Sequence, residues 1–262
     1  MRQGRWLGQF QVHYQPIVDC RTGALLGMEA LVRWRHPERG VLPAGDFVDT
    51  AERTGLIGSL DVEVLRSAGA FRRRLPLRRG VELRLSVNTT TQDLTKVGTF
   101  EEIQRTIEET RADPSQIEFE VGGVGTGPDP RGAESVLRRM RGLGLSIAVD
   151  DAGVVEDLET TLATFPIDAI KLDLSAADSP SGLEALRTAV TMGRAREIRV
   201  TAKHVETLEH LRVARELDFD AAQGYALGRP TSSAEFEAML GDAGMLDETA
   251  EDSAPLPRRL AA

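Results

Sequence analysis

The sequence lacks several features that would point to particular classes of protein. Its single cysteine, Cys20, excludes an internal disulfide framework and fits a reducing compartment. It has no apolar run of membrane-spanning length and no signal-type segment after its first residues. Its net charge of −9 gives no excess of positive charge for general binding to nucleic acid. We therefore expect a cytoplasmic domain with no membrane segment and no nucleic-acid partner.

The composition of the chain and its alternation of strand-like and helix-like runs predict an α/β fold. With 262 residues and 41% hydrophobic residues, the chain is long enough for one large domain or two small ones. Strand-like and helix-like runs alternate over residues 10–240, and the eighth and last strand-like run extends over residues 221–227. This alternation predicts a TIM-like (β/α)8 barrel, with a doubly wound open sheet as the alternative.

The two ends of this pattern are irregular. Only residues 19–24 separate the first two strand-like runs, which is too short for a helical crossover and suits a hairpin. The first strand of the barrel is therefore predicted to be antiparallel. Residues 241–262 are rich in acidic residues, alanine and proline, and we expect a disordered tail after a barrel domain of residues 1–240.

The most informative local feature is the pair Asp150-Asp151, which follows the apolar run of residues 145–149. Two adjacent carboxylates at the end of a buried strand repel one another unless a cation or hydrogen-bond donors compensate them. The pair therefore indicates a metal site. Taken alone, it is equally consistent with a helix cap, since aspartate is a preferred N-cap residue.

Other strand ends carry polar side chains as well, and capping does not explain those within apolar runs. Oxygen donors such as these suit Mg²⁺ or Mn²⁺, whereas the four histidines share no zinc-ligand spacing. Paired hard cations serve phosphodiester hydrolysis, in which a lysine activates water or offsets developing charge. The strand-end residues are Glu29, Asn88, Glu120, Asp150, Asp151, Lys171, Asp173, Lys203, Glu206 and Gln223.

The order of short motifs resembles the EAL domain family over about residues 10 to 240. These motifs are Tyr14-Gln15-Pro16-Ile17-Val18, Glu29-Ala30-Leu31-Val32-Arg33-Trp34, Val87-Asn88, Asp150-Asp151, Asp168-Ala169-Ile170-Lys171-Leu172-Asp173 and Gln223-Gly224-Tyr225. The family comprises phosphodiesterases of the bacterial messenger cyclic di-GMP. The resemblance therefore implies a barrel with an antiparallel first strand, and cyclic di-GMP as the ligand.

The resemblance also implies roles for individual residues. Residues matching the ligands of one metal are Glu29, Asn88, Glu120 and Asp150, with Asp150 shared with a second metal that Asp151 also holds. Lys171 matches the lysine that assists the nucleophilic water, and Asp173 and Gln223 match residues that orient the water and the metal shell. Positions matching the nucleotide site are Gln15, Leu31, Arg33, Arg229 and Pro230. Arg33 is alternatively a rim arginine in a local ion pair.

The sequence departs from the family's active members at the second metal site. Lys203 stands where they have the first glutamate of Glu-Gly-Val-Glu. A lysine here either substitutes for the cation or directs its long side chain outward. Gly123 replaces a glutamate that braces the neighbouring loop, and the loop after Asp151 has a different sequence that includes Glu156 and Asp157.

Three hypotheses follow from these departures. The first is a degenerate EAL domain that binds cyclic di-GMP as a receptor or regulatory module, with one Mg²⁺ or Mn²⁺ site retained and the second weakened. The second is a working phosphodiesterase in which Glu206 is recruited to hold the second metal. The third is a protein-interaction module that binds neither nucleotide nor metal. Partners beyond the nucleotide would be a second copy of the chain or another signalling protein.

Overall fold

Eight strands close into a barrel in the computed structural model, which describes residues 7–152 and 158–246. The strands of this part of the chain are β1 (Phe10–Asp19), β2 (Leu25–His36), β3 (Gly40–Pro43), β4 (Arg84–Thr90), β5 (Ile117–Gly122), β6 (Ser146–Val149), β7 (Ala169–Asp173), β8 (Arg199–Lys203), β9 (Ala221–Ala222) and β10 (Thr231–Ser232). The ring runs β1, β9, β8, β7, β6, β5, β4, β2 and back to β1. Closure confirms the predicted barrel and excludes the open sheet.

The first strand is antiparallel to both of its neighbours in the ring. β1 pairs with β2 from Phe10 opposite Trp34 to Val18 opposite Leu25, with a register shift between Ile17 and Val18. β1 is also antiparallel to β9, whereas the pairs from β2 through β4 to β9 are parallel. The short link between the first two strands therefore forms the predicted hairpin.

Helices cover the outside of the barrel because their apolar residues fall on one face. On α4, Phe100, Ile103 and Ile107 recur at helical spacing and are buried against the barrel. The helices of the described residues are α1 (Val48–Arg53), α2 (Ile57–Arg74), α3 (Thr91–Leu94), α4 (Thr99–Thr110), α5 (Pro130–Gly142), α6 (Leu158–Thr164), α7 (Pro180–Ala195), α8 (Leu208–Glu216) and α9 (Ser233–Asp242). None of these helices is long and apolar enough to span a membrane.

A small second core supports the part of β2 that extends past the barrel. Phe10 and Trp34 pack on Phe47, with the Phe10 and Phe47 ring centroids 5.5 Å apart. Leu42 on β3 is buried in the same cluster. This core holds residues 43–45 at the rim of the barrel mouth.

The structure differs from the sequence prediction at the carboxyl-terminal end. The eighth strand of the ring ends at Ala222 and not at residue 227, because the chain turns at Gly224. The last helix ends at Asp242, and Leu246 then pairs with Leu77. The remaining residues of the predicted tail, 247–262, lie outside the described residues, as do residues 153–157 with Glu156 and Asp157.

Candidate functional site

A cavity of about 460 Å³ opens at the carboxyl ends of the parallel strands. This end of a (β/α)8 barrel is where active sites form, because the strand ends and the following loops converge there. Pro43, Ala44 and Gly45 form part of its rim. The predicted site residues that line it are Gln15, Glu29, Leu31, Arg33, Glu120, Asp150, Glu206, Gln223 and Pro230.

Lys171 is buried beneath this cavity at the centre of a polar cluster. Its side chain is 2% exposed, and its ammonium donates to Glu120 in a short hydrogen bond. It also lies 3.1 Å from Gln223 Oε1 and 3.5 Å from Glu29 Oε2. Strands β2, β5, β7 and the residue after β9 therefore each contribute one side chain to a single cluster.

The cluster changes the protonation behaviour of its members. Burial raises the pKa of the Glu120 carboxyl to about 8, and the nearby Glu29 carboxylate acts in the same direction. Burial also acts to raise the pKa of Glu29, but the Lys171 ammonium and the amides of Asn88 and Gln223 outweigh it and lower this pKa. Burial opposes the charge on Lys171, yet the two glutamates raise its pKa above the usual value.

Amide side chains connect this cluster to the wall of the cavity. Gln223 Nε2 donates to Glu29 Oε2 at 2.5 Å and to Gln15 Oε1 at 3.1 Å. Gln15 in turn donates to the Gly228 carbonyl at 3.0 Å, and Asn88 Nδ2 donates to Glu29 Oε1 at 2.6 Å. The network fixes the Glu29 carboxylate from both sides.

Lys203 joins the two adjacent aspartates at the mouth. Its Nζ lies 2.6 Å from Asp150 Oδ1 and 2.7 Å from Asp151 Oδ1. The Lys203 side chain is only 16% exposed, so it turns inward rather than out to solvent. Burial opposes its charge, but Asp150 and Asp151 raise its pKa above the usual value. Two of the chain's three lysines thus lie at the mouth, each paired with carboxylates.

Asp173 lies apart from Lys171, although the two residues share β7. Its carboxylate accepts from the Ser175 backbone N–H at 2.9 Å and lies 3.1 Å from His204 Nδ1. Partial burial acts to raise its pKa, but the bonds from Ser175 and His204 lower it. The structure thus pairs Asp173 with His204 and does not bring it into the Lys171 cluster.

Of the residues predicted to contact a nucleotide, Gln15, Leu31, Arg33 and Pro230 line the cavity and Arg229 does not. Arg33 NH1 donates to the Val32 carbonyl at 2.9 Å, and Arg33 forms no ion pair with the other described residues. The Arg229 guanidinium stacks over the Tyr225 ring, 4.4 Å from its centroid. Tyr225 is half exposed and lines the cavity. An aromatic face and a guanidinium without a carboxylate partner are therefore both present at the mouth.

The oxygen donors at the mouth suit a hard cation chemically, but they already have cationic partners. Glu120 is bonded to Lys171, and Asp150 is bonded to Lys203. Over residues 7–152 and 158–246, no three side chains of His, Cys, Asp or Glu are grouped closely enough to hold a metal ion. A cation would therefore have to displace lysine contacts, and beside Asp151 it would meet an ammonium that bonds both aspartates.

Gly224 allows two parts of the mouth to approach closely. A Cβ at this position would lie 2.3 Å from the Val205 nitrogen and 2.2 Å from its oxygen. The Val205 N–H donates to the Gln223 carbonyl at 3.0 Å, and the Ala226 N–H donates to the Val205 carbonyl at 3.0 Å. The loop after Lys203 is therefore bonded directly to the chain around Gly224.

Sequence reasoning did not identify His204 as part of this site. His204 and Tyr225 both line the cavity. His204 shares no metal-ligand spacing with another histidine, so residue spacing does not indicate a role for it. Its position one residue after Lys203, at the end of a barrel strand, was the signal that could have identified it.

The chain belongs to the EAL domain family, since its residues 2–230 match the EAL domain. It is 33% identical over 244 residues to the cyclic di-GMP phosphodiesterase NbdA of Pseudomonas aeruginosa, covering 92% of this chain and 31% of that protein. It is 30% identical over 237 residues to the cyclic di-GMP phosphodiesterase PdeR of Escherichia coli, covering 87% and 35%. The chain thus spans only about a third of each of these relatives.

The solved structures of similar proteins agree with this assignment. The PaMucR phosphodiesterase in complex with c-di-GMP superposes with a TM-score of 0.81 at 26% identity, covering 87% of this chain and 94% of that one. The FimX EAL domain from Pseudomonas aeruginosa bound to c-di-GMP superposes with a TM-score of 0.76 at 19% identity, covering 87% and 94%. The latter likeness shows the shared fold alone.

Proposed function

We propose that this EAL domain binds cyclic di-GMP in the mouth cavity and hydrolyses it poorly or not at all, so that it acts as a receptor or regulatory module. The contact of Lys203 with both Asp150 and Asp151 carries this proposal. Two EAL relatives are named cyclic di-GMP phosphodiesterases, which supports the choice of ligand.

Lys203 weakens the second metal position in two ways. Its ammonium already neutralises carboxylates that would otherwise attract a cation, and it repels an incoming dication. Two unit charges about 4 Å apart interact by about 4 kcal/mol near a protein surface, and a divalent ion doubles this energy. Because the ammonium is held by two carboxylates, it cannot leave the position without breaking both contacts.

One hard cation would bind at the mouth only if Glu120 and Asp150 gave up their lysine contacts. Glu29, Asn88, Glu120 and Asp150 would then hold a single Mg²⁺ or Mn²⁺, which when bound would polarise a phosphate oxygen. Lys171 is placed to offset negative charge next to Glu29 and Glu120. Asp151 is bonded to Lys203 and is not available to a second cation, so we expect hydrolysis to be impaired more than binding.

The groups that would contact the nucleotide do not depend on a metal. Arg33 has guanidinium donors that are not used by a carboxylate of the described residues, and such donors suit phosphate. Gln15, Leu31 and Pro230 line the same cavity. We therefore expect binding to persist when divalent cations are removed.

One observation favours the working phosphodiesterase as the second candidate. Glu206 is exposed and lines the cavity that also contains Asp150. A carboxylate at this place is free to approach a second cation if Lys203 moves aside. If Glu206 holds a second cation in this way, hydrolysis of cyclic di-GMP should be fast and should depend on Lys171.

The two candidates are separated by measuring binding and hydrolysis on the same protein. Calorimetry with cyclic di-GMP in EDTA should give binding, and incubation with Mn²⁺ should give little linear dinucleotide. Arg33→Ala should weaken the binding, and Arg35→Ala, an exposed arginine two residues along β2, is the matched control.

Each of the other results contradicts the proposal. Fast hydrolysis that is lost in Lys171→Ala would identify an active enzyme. A chain that neither binds nor hydrolyses cyclic di-GMP would favour the protein-interaction module.

A further inference from the structure

His204 has a backbone conformation that histidine seldom adopts. Its φ is +57°, in the left-handed region that favours glycine. Glycine is the residue best suited to this backbone, so a histidine here carries a conformational cost. This cost alone assigns no role, because exposed Glu197 has the same conformation, so a role for His204 depends on what its side chain contacts.

The surrounding chain imposes this conformation on His204. Val205 is fully buried and is bonded on both sides to residues 223–226. His210 Nδ1 accepts from the Glu206 N–H at 3.2 Å and lies 3.2 Å from the His204 carbonyl oxygen. The His204 side chain is therefore projected from a fixed loop.

Asp173 orients the imidazole ring. The Asp173 carboxylate lies 3.1 Å from His204 Nδ1 and is itself held by the Ser175 N–H at 2.9 Å. A carboxylate beside Nδ1 fixes the proton on that nitrogen. When the ring is neutral with its proton on Nδ1, Nε2 is a hydrogen-bond acceptor.

The position of this acceptor limits what it can contact. His204 lines the same cavity as Arg33 and follows Lys203 directly in sequence. The cationic side chains suit the phosphates of a cyclic dinucleotide and the Tyr225 ring suits a base, so the acceptor remains for a hydroxyl. The 2′-hydroxyl of ribose is the donor next to each 3′-phosphate.

We propose that His204, oriented by Asp173, is a specificity-determining residue that accepts a hydrogen bond from a ribose 2′-hydroxyl of the bound cyclic dinucleotide. This inference rests on the proposed function, because it requires the nucleotide to bind in the mouth cavity. It adds a preference for ribose over deoxyribose, which comes from this chain's own histidine.

Calorimetry in EDTA with cyclic di-GMP and with its 2′-deoxy analogue tests this role. One hydrogen bond is worth about 1 kcal/mol, so the unaltered chain should bind the ribose form between about twofold and tenfold more tightly. His204→Gly should lose affinity for the ribose form only, and the two affinities should become about equal.

Glu197→Gly is a matched control for the backbone change. Glu197 is exposed and has a φ of +58°, so glycine relieves the same conformation there without touching the cavity. Both glycine variants should fold and keep their melting temperatures or raise them slightly. Only His204→Gly should change the ribose preference.

Two results would overturn the inference while the proposed function stands. One is a His204→Gly variant that keeps the ribose preference of the unaltered chain, and the other is an unaltered chain that binds both ligands equally. An unaltered chain that binds neither ligand would overturn the proposed function and this inference together.

Discussion

Lys203 and Asp150 lie on opposite sides of β7, yet the Lys203 ammonium is 2.6 Å from an Asp150 carboxylate oxygen. Lys203 ends β8, and Asp150 directly follows β6. The contact spans the strand between them and also includes Asp151. A charge that the protein itself provides therefore compensates the aspartate pair.

Lys203→Glu should convert this position into a cation site. Three adjacent carboxylates repel one another, so we expect a lower melting temperature in EDTA and recovery when Mn²⁺ is added. The affinity for Mn²⁺, measured by calorimetry, should rise at least about tenfold, equivalent to about 1.4 kcal/mol.

Lys203→Met is the control, because it removes the ammonium without adding a carboxylate. It should bind Mn²⁺ more weakly than Lys203→Glu does. Equal affinity in Lys203→Glu and the unaltered chain would mean that Lys203 does not limit cation binding.

Replacing Gly123 with the glutamate that active family members have is a less simple change than Lys203→Glu. Gly123 has a φ of +75°, and a Cβ there would lie 3.1 Å from Thr91 Oγ1. A glutamate at this position is strained before it makes any contact. We therefore expect Gly123→Glu to reduce stability, which makes the single Lys203 substitution the clearer experiment.

Lys171→Met should destabilise the domain because it leaves buried carboxylates without a cation. Glu120 and Glu29 are both buried and lie beside the Lys171 ammonium. Breaking one partner of a buried pair costs about 3–5 kcal/mol, which urea unfolding would measure.

Adding Glu120→Gln to Lys171→Met should recover part of that loss, since a neutral amide replaces a buried carboxyl group that has lost its ammonium partner. If the double variant is no more stable than Lys171→Met, the loss comes from packing and not from charge.

Gly224→Ala should disturb the mouth because the added methyl group would overlap the Val205 backbone. We expect a loss of about 1–3 kcal/mol in the free energy of unfolding, together with weaker binding of cyclic di-GMP. Gly142→Ala is the control, since nothing lies within 4 Å of its Cβ position at the end of α5. That variant should be as stable as the unaltered chain or slightly more stable. Equal stability of both variants would contradict the close approach at Gly224.

Asp173→Asn should remove one source of acid sensitivity. The pKa of Asp173 is lowered in the folded state, so its carboxylate adds stability above the unfolded value of ~4. That contribution is lost as the pH falls through the folded pKa. The difference in unfolding free energy between the unaltered chain and Asp173→Asn should therefore shrink from about pH 6 to about pH 3. A difference that is constant over this range would show that the charge of Asp173 does not contribute to stability.

Much of the fold followed from the sequence because its determinants are local. The strands are short apolar runs, and the link of residues 19–24 permits only a hairpin. The early end of the last ring strand was not predicted, because it depends on the approach of Gly224 to Val205. The two residues are 19 positions apart in the sequence, so their contact requires the barrel itself.

The candidate site was predictable in its residue types but not in its pairings. Nearly every strand end carried a polar side chain, and the mouth gathers most of them. The sequence left two directions open for Lys203, because a lysine side chain reaches either way. It also did not indicate that Asp173 would bond to His204 and Ser175 instead of entering the Lys171 cluster.

The direction of β1 determines at which end the described chain enters the barrel. β1 begins at the mouth, where Phe10 pairs with Trp34, beyond Leu31 and Arg33 on β2. In a barrel of eight parallel strands, the chain enters at the end opposite the ligand site. Here the described chain instead enters β1 at the mouth, beside the small core that holds residues 43–45. A displacement at the start of β1 would therefore reach the entrance directly, without having to be transmitted through the barrel.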